Sequence, residues 1–206
     1  MSSFISSGCV YKQSSYKNLV KNYIDLISST ANVEIKNVVC YSPESDLSST
    51  KSLEEVKKDK SFSKVTHINC KQIRDDWEFV VRFYEEHNYQ GVLFDLSYDY
   101  LPEMFSAKSL ENKLINILIT IYSYYPYYFS FIDTEAEVDM FHNSGNIEPL
   151  ESPYATLILS KNNDFHVYLN TWEIDGISER KKKHYVIKNT PSHRTNYKKN
   201  WRNTDK

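Results

Sequence analysis

Apolar residues recur at helical spacing in three places along the chain. Tyr16, Leu19, Val20, Tyr23 and Ile27 predict a helix over about 14–29, and Leu110, Leu114, Ile117, Leu118 and Ile121 predict another. Ile115, Ile119 and Tyr122 widen the apolar surface of the second, which should be mostly buried, and Pro126 breaks it. Ile73, Trp77, Val80, Val81 and Tyr84 fit one face of a third helix over about 72–88, with Glu78 and Arg82 one turn apart outside and residues 88–91 ending it. Ser52-Leu-Glu-Glu55 has the capping-box pattern that starts a short charged helix.

Between these helices lie β-rich stretches at 33–41, 65–69, 127–133, 155–160 and 165–170. The run at 92–96 is apolar without alternation, the pattern of a strand covered on both faces. Lys161-Asn-Asn-Asp164 separates the last two stretches as a hairpin turn, whereas the polar, Ser-rich 42–50 reads as a surface loop and 143–153 as a turn-rich connection. The order predicts an α/β (or α+β) fold: a mixed sheet with helices packed on it and an antiparallel hairpin near the C-terminus. No internal repeat is present. Residues 1–179 form one expected domain and 180–206 a flexible basic tail.

Composition sharpens this picture. A single domain of 206 residues buries roughly 70% of its unfolded surface, and 17 Tyr with 10 Phe make an aromatic core in which buried hydroxyls need partners. The four glycines stand apart at 8, 91, 145 and 176, so no glycine-rich phosphate cradle can be built. Cys9, Cys40 and Cys70 match neither a disulfide framework nor a paired-ligand zinc site, which points to a reducing compartment. No stretch reaches the roughly 18–20 apolar residues of a membrane span, and the first ten residues lack the pattern of a secretory signal, so a cytoplasmic location is expected.

Charge changes the picture most. The formal net charge of −2 conceals three segments. Residues 1–71 carry 10 Lys/Arg against 7 Asp/Glu, residues 72–179 carry 5 against 19, and residues 180–206 carry 10 against 1. An acidic body and a basic tail result, and surfaces of this kind select oppositely charged partners.

Candidate chemistry is sparse. Asp133, Glu135, Glu137 and Asp139 place a carboxylate at every second position; on a strand they form a straight acidic stripe, which reads as a solvated face, an interaction surface or an ion site. Asp95 near the end of the 92–96 strand, with Asp99 and Glu103 beyond it and Tyr98 and Tyr100 interleaved, lines the strand-to-helix connection and reads as a recognition loop. Trp172 follows the last hairpin, and its neighbouring carboxylates Glu173 and Asp175 extend the acidic body. Glu34-Ile-Lys36 has the carboxylate-x-lysine spacing of magnesium-dependent nucleases, but the nearest upstream Asp, Asp25, falls in a helix, and an exposed ion pair is the simpler reading. The six histidines show no i, i+4 pair and no metal-ligand spacing. No catalytic residue, metal site or cofactor is nominated.

In kind, the chain is similar to the small immunity proteins that neutralise bacterial toxins, which are compact, acidic and poor in motifs. That likeness implies a non-catalytic cytosolic inhibitor whose acidic, Tyr-rich surface occupies the basic cleft of a nuclease-like toxin. Two alternatives stand beside it. One is a metal-dependent nuclease or hydrolase using the clustered carboxylates. The other is a nucleic-acid-binding accessory protein acting through Arg180, Lys181, Lys182, Lys183, Arg194, Lys198, Lys199, Trp201 and Arg202, where cations and aromatics alternate.

Overall fold

Strand β1 (Phe4–Lys12) runs through the middle of a single open sheet in the computed structural model, which describes residues 4–12, 15–74, 76–86, 89–97, 107–134, 149, 152, 154–170 and 182–189. The chain continues through α1 (Tyr16–Ser28), β2 (Val33–Ser42), β3 (Leu47–Lys51), α2 (Leu53–Asp59), β4 (Val65–Gln72), β5 (Trp77–Glu86) and β6 (Tyr89–Ser97). Then follow α3 (Ala107–Tyr124), β7 (Phe129–Thr134), β8 (Thr156–Lys161), β9 (Asp164–Leu169) and β10 (Lys183–Ile187). The ten strands are ordered β10-β9-β8-β7-β1-β6-β5-β4-β2-β3. Every neighbouring pair is antiparallel, so the expected mixed sheet is corrected to an antiparallel one within a mixed α/β architecture that is mostly sheet.

Helices α1 and α3 cover one face of this sheet. Leu19, Val20, Tyr23, Ile24 and Ile27 of α1, and Leu110, Ile115, Leu118, Ile119 and Ile121 of α3, join Ile5, Cys9 and Tyr11 of β1 and Val81, Phe83 and Val92 in one buried cluster. The expected capping box at Ser52 is present: the Glu55 backbone N–H donates to Ser52 Oγ at 3.2 Å, and the Ser52 N–H donates to Glu55 Oε2 at 2.7 Å. α3 also buries Glu111, whose carboxylate accepts a hydrogen bond from the Thr156 hydroxyl on β8 and ties the helix to the sheet.

The expected helix over 72–88 is instead the end of β4, a turn, and β5. Trp77, Phe79, Val81 and Phe83 alternate with Glu78, Val80, Arg82 and Tyr84, and this two-residue period, rich in aromatic and β-branched residues, outweighs the helical spacing because β4 and β6 satisfy the β5 backbone from both sides. Residues 89–91 begin β6 rather than end a helix, and the 42–50 loop contains most of edge strand β3. Residues 183–187 of the basic C-terminal segment pair with β9 as β10. The expected connection at 143–153 lies mostly outside the described residues.

Beneath α1 the aromatic core finds its hydroxyl partners. The Tyr11 and Tyr23 hydroxyls meet at 2.6 Å, and the Tyr23 ring stands edge-on to Phe83 with centroids 6.1 Å apart. Burial pushes both phenols well above their ordinary pKa, so the pair remains protonated. Tyr23→Phe should cost about 1 kcal/mol, the net worth of one buried hydrogen bond, whereas Tyr23→Ala should cost about 3–5 kcal/mol by opening a cavity; urea unfolding of both variants checks the difference.

Strand β10 is also held by charge. Lys188 Nζ donates to Asp164 Oδ2 at 2.9 Å, and the Asn189 backbone N–H donates to Oδ1 at 3.3 Å. These two contacts lower the Asp164 pKa. A depressed carboxylate contributes fully above its unfolded pKa and loses that contribution as pH falls through its lowered folded value. Amide exchange and NMR shifts should therefore show β10 loosening ahead of β7–β9 on acidification below about pH 4, with no such step in Asp164→Asn.

Candidate interaction surface

Small residues alternate along β1 on the face opposite the helices, and they determine what can gather there. Ser6 lies between Asp95 of β6 and Asp133 of β7 in the strand register, and Gly8 lies between Leu93 and Phe131. A Cβ on Gly8 would sit 2.6 Å from Phe131 Cζ and 2.7 Å from Leu93 Cδ2, so glycine lets those side chains close over β1. Phe131 then stacks on Tyr154 with centroids 4.3 Å apart and planes 19° apart.

Asp95 is expected near the end of the 92–96 strand, lining a recognition loop; it stands on β6 as that strand requires, but is only 5% exposed. Ser6 Oγ donates to its Oδ1 at 2.6 Å, Arg82 Nη2 donates to Oδ1 at 2.9 Å, and Arg82 Nε donates to Oδ2. This two-point pairing fixes the guanidinium plane, and the remaining nitrogen, Nη1, donates to the Tyr84 hydroxyl. Arg82 thus pairs across the sheet with Asp95 rather than along a helix with Glu78. Asp133 is also buried, with Oδ2 accepting from the Ala155 N–H at 3.2 Å and Oδ1 from the Thr134 N–H at 2.7 Å. Both carboxylates organise the sheet from below its surface.

What they position is one end of that sheet. Ile5 pairs with Leu96 and Thr134, Ile132 with Thr156, Thr156 with Leu169, and Leu169 with Lys183. The segments that begin after Ser97, Thr134 and Leu169 consequently depart from the same end, and the first two depart about two strand spacings apart, roughly 10 Å. Residues 98–106 and 135–153 carry seven carboxylates and no Lys or Arg. The β4–β5 turn, with exposed Ile73 and with Asp76, lies at this end too.

Of the sequence-nominated residues, Tyr98, Asp99, Tyr100, Glu103, Glu135, Glu137, Asp139, Trp172, Glu173 and Asp175 lie outside the described residues. So do Arg180, Lys181, Arg194, Lys198, Lys199, Trp201 and Arg202. Lys182 is exposed and Lys183 opens β10. Sequence reasoning missed Ser6, Arg82 and Tyr84, although the alternation through 77–84 marks the face on which the last two stand.

Other candidate chemistry resolves into structure. Glu34 and Lys36 form an ion pair at 3.4 Å on β2, with both side chains substantially exposed, and Asp25 is exposed on α1. Cys9, Cys40 and Cys70 are buried free thiols, and burial pushes Cys9 and Cys70 up to about 12, out of the nucleophilic range at neutral pH. Among the described residues no three His, Cys, Asp or Glu side chains converge as a metal-ligand group.

The family model for immunity protein 64 matches residues 59–180, more than half of the chain. The chain belongs to the immunity protein 64 family. The family segment runs from the last residue of α2 through β4 to β9 and includes Arg82, Asp95, Asp133 and both carboxylate-rich segments. No curated protein and no solved structure matches the chain. Membership in the immunity protein 64 family implies a cognate toxin as binding partner, consistent with a toxin-neutralising role.

In this immunity protein 64 family member, the Arg82–Asp95 pair should support the sheet from which that end projects. Arg82→Leu leaves a buried carboxylate with Ser6 alone and should cost up to about 3 kcal/mol, the low end for a broken buried pair because the guanidinium is partly exposed. The double variant R82L/D95L should recover most of the loss, which paired urea titrations would measure.

Proposed function

We propose that this protein is a cytosolic, non-catalytic inhibitor that binds a basic, nuclease-like toxin through the acidic end of its sheet. The observation that carries this reading is the family match over residues 59–180. Topology and charge support the choice of surface. Strand ends from β6, β7 and β9 meet on one side of the molecule, and their continuations contain all the residues nominated for partner binding except Asp95 and Asp133.

The physical logic follows from the toxin's own substrate. A cleft that binds a polyphosphate backbone carries clustered Lys and Arg, and an array of carboxylates reproduces that charge. Charge steers encounter and selects the partner, while tyrosine and tryptophan anchors such as Tyr98, Tyr100 and Trp172 supply buried contact area with little rotamer entropy to lose. Asp95 and Asp133 hold the platform from which these residues project.

The decisive experiment captures partners on the purified chain from lysate of the cells that encode it and then assays the captured protein. One basic protein should be retained, its nucleic-acid cleavage should stop at equimolar added chain, and capture should fall between 0.1 and 0.5 M salt as screening shortens. The triple variant E135Q/E137Q/D139N should bind about tenfold more weakly, at about 0.5 kcal/mol per charge. Recovery of nucleic acid in place of a protein, or a captured protein whose activity persists at equimolar chain, would overturn the reading.

A further inference from the structure

The six histidines show no ligand spacing in sequence, but among the described residues two of them, His166 and His184, meet in space. His184 of β10 lies opposite Tyr168 of β9, and His166 lies opposite Val186, so the two histidines are diagonal neighbours on the same face of the β9–β10 ladder. His166 Nδ1 and His184 Nε2 approach to 3.2 Å. Their ring centroids are 5.3 Å apart with planes only 15° apart, so the rings meet edge to edge. On its other side His184 stacks on Tyr168, with centroids 4.4 Å apart and planes 15° apart, which restricts the ring's rotation.

Two imidazole nitrogens this close need something between them, either a shared hydrogen or a cation. A tetrahedral ion with bonds of about 2.0–2.1 Å to nitrogen sets its two ligand atoms about 3.3–3.4 Å apart. The observed 3.2 Å therefore requires almost no approach of the strands; Tyr168 holds the His184 ring, so the adjustment that makes both lone pairs converge falls mainly to His166. The ring that donates the hydrogen bond shifts its proton to its outer nitrogen, which leaves His166 Nδ1 and His184 Nε2 both as acceptors. The nearest acid–base pair on the same face, Asp164 with Lys188, already compensates its own charge at 2.9 Å.

We propose that His166 and His184 form a two-point site for a divalent transition-metal ion of the zinc class, which clips β10 onto β9. Imidazole suits such ions, and water completes the coordination. The clip lies where the basic C-terminal segment joins the sheet, so metal binding would anchor the start of that segment beside the acidic body. This site is independent of the toxin-binding reading.

The test uses the full chain without a purification tag and ZnCl2 as the probe. Calorimetry should show a one-to-one site, and His166→Gln and His184→Gln should each weaken it by at least tenfold, no less than outer-shell substitutions do at metal sites. His67→Gln, on the same face at β4, should leave it unchanged. A structural pair alone would not give the second readout: at zinc a hundredfold above its dissociation constant, β10 amide exchange should slow by about a hundredfold in the parent and not in His184→Gln. Absence of a one-to-one zinc site, zinc binding undiminished in both glutamine variants, or binding that leaves β10 exchange unchanged would overturn the proposal.

Discussion

Pairing of β1 with β6 on one side and β7 on the other is the contact on which the rest of the structure depends. Among the described residues it is the strand pairing that joins β7-β8-β9-β10 to β6-β5-β4-β2-β3. Without it the sheet would be two smaller sheets, each with a bare inner edge, and such edges recruit whatever strand is available. β1 is suited to this place by small side chains. Ser7 and Cys9 leave room for the helices on one face, and Ser6 and Gly8 admit Asp95, Asp133, Leu93 and Phe131 on the other. A larger residue at position 8 would meet a ring and a leucine at less than 3 Å.

The same pairing sets where the two carboxylate-rich segments begin. β6 and β7 are separated in sequence by α3, yet β1 brings their ends to neighbouring positions, so the continuations after Ser97 and Thr134 start on either side of its first residues. The family segment begins at residue 59 and does not include β1, whose place between β6 and β7 is nevertheless required for one continuous sheet. Ser6 shows the dependence at atomic scale: the hydroxyl that helps satisfy buried Asp95 comes from outside that segment.

The elements easiest to read in the sequence were those whose burial is one-sided and periodic. α1, α3 and the Ser52 capping box follow from local patterns, and so do the stretches that became β2, β4, β7, β8 and β9. β1 was invisible because Ile-Ser-Ser-Gly-Cys has neither alternation nor strand propensity; its strand character comes from having two partners and two covered faces. β5 reads as a helix because Ile73, Trp77, Val80, Val81 and Tyr84 fit one helical face, while Trp77, Phe79, Val81 and Phe83 fit one strand face, and only the neighbours decide between them. At the site, the charge partition and its carboxylates were legible, but the pairing of Arg82 with Asp95 and of His166 with His184 required a register that no local pattern contains.

An open sheet of ten strands still has two outer edges, and the two are protected differently. β3 presents Leu47-Ser-Ser-Thr-Lys51, short and mostly hydroxylated, and Lys51 donates to Asp59 of α2 at 2.9 Å. β10 carries Lys183, with Lys188 just beyond its end, and positive charge along a strand opposes pairing with another copy of itself. The basic residues at this edge therefore contribute even where no nucleic acid is bound. They keep the sheet from extending, and through Lys188 and Asp164 they hold the last strand to a body whose charge is opposite to theirs. Both outer edges of the open sheet are thereby guarded, one by short hydroxylated side chains and an ion pair to α2 and the other by cations, so the sheet resists association with itself.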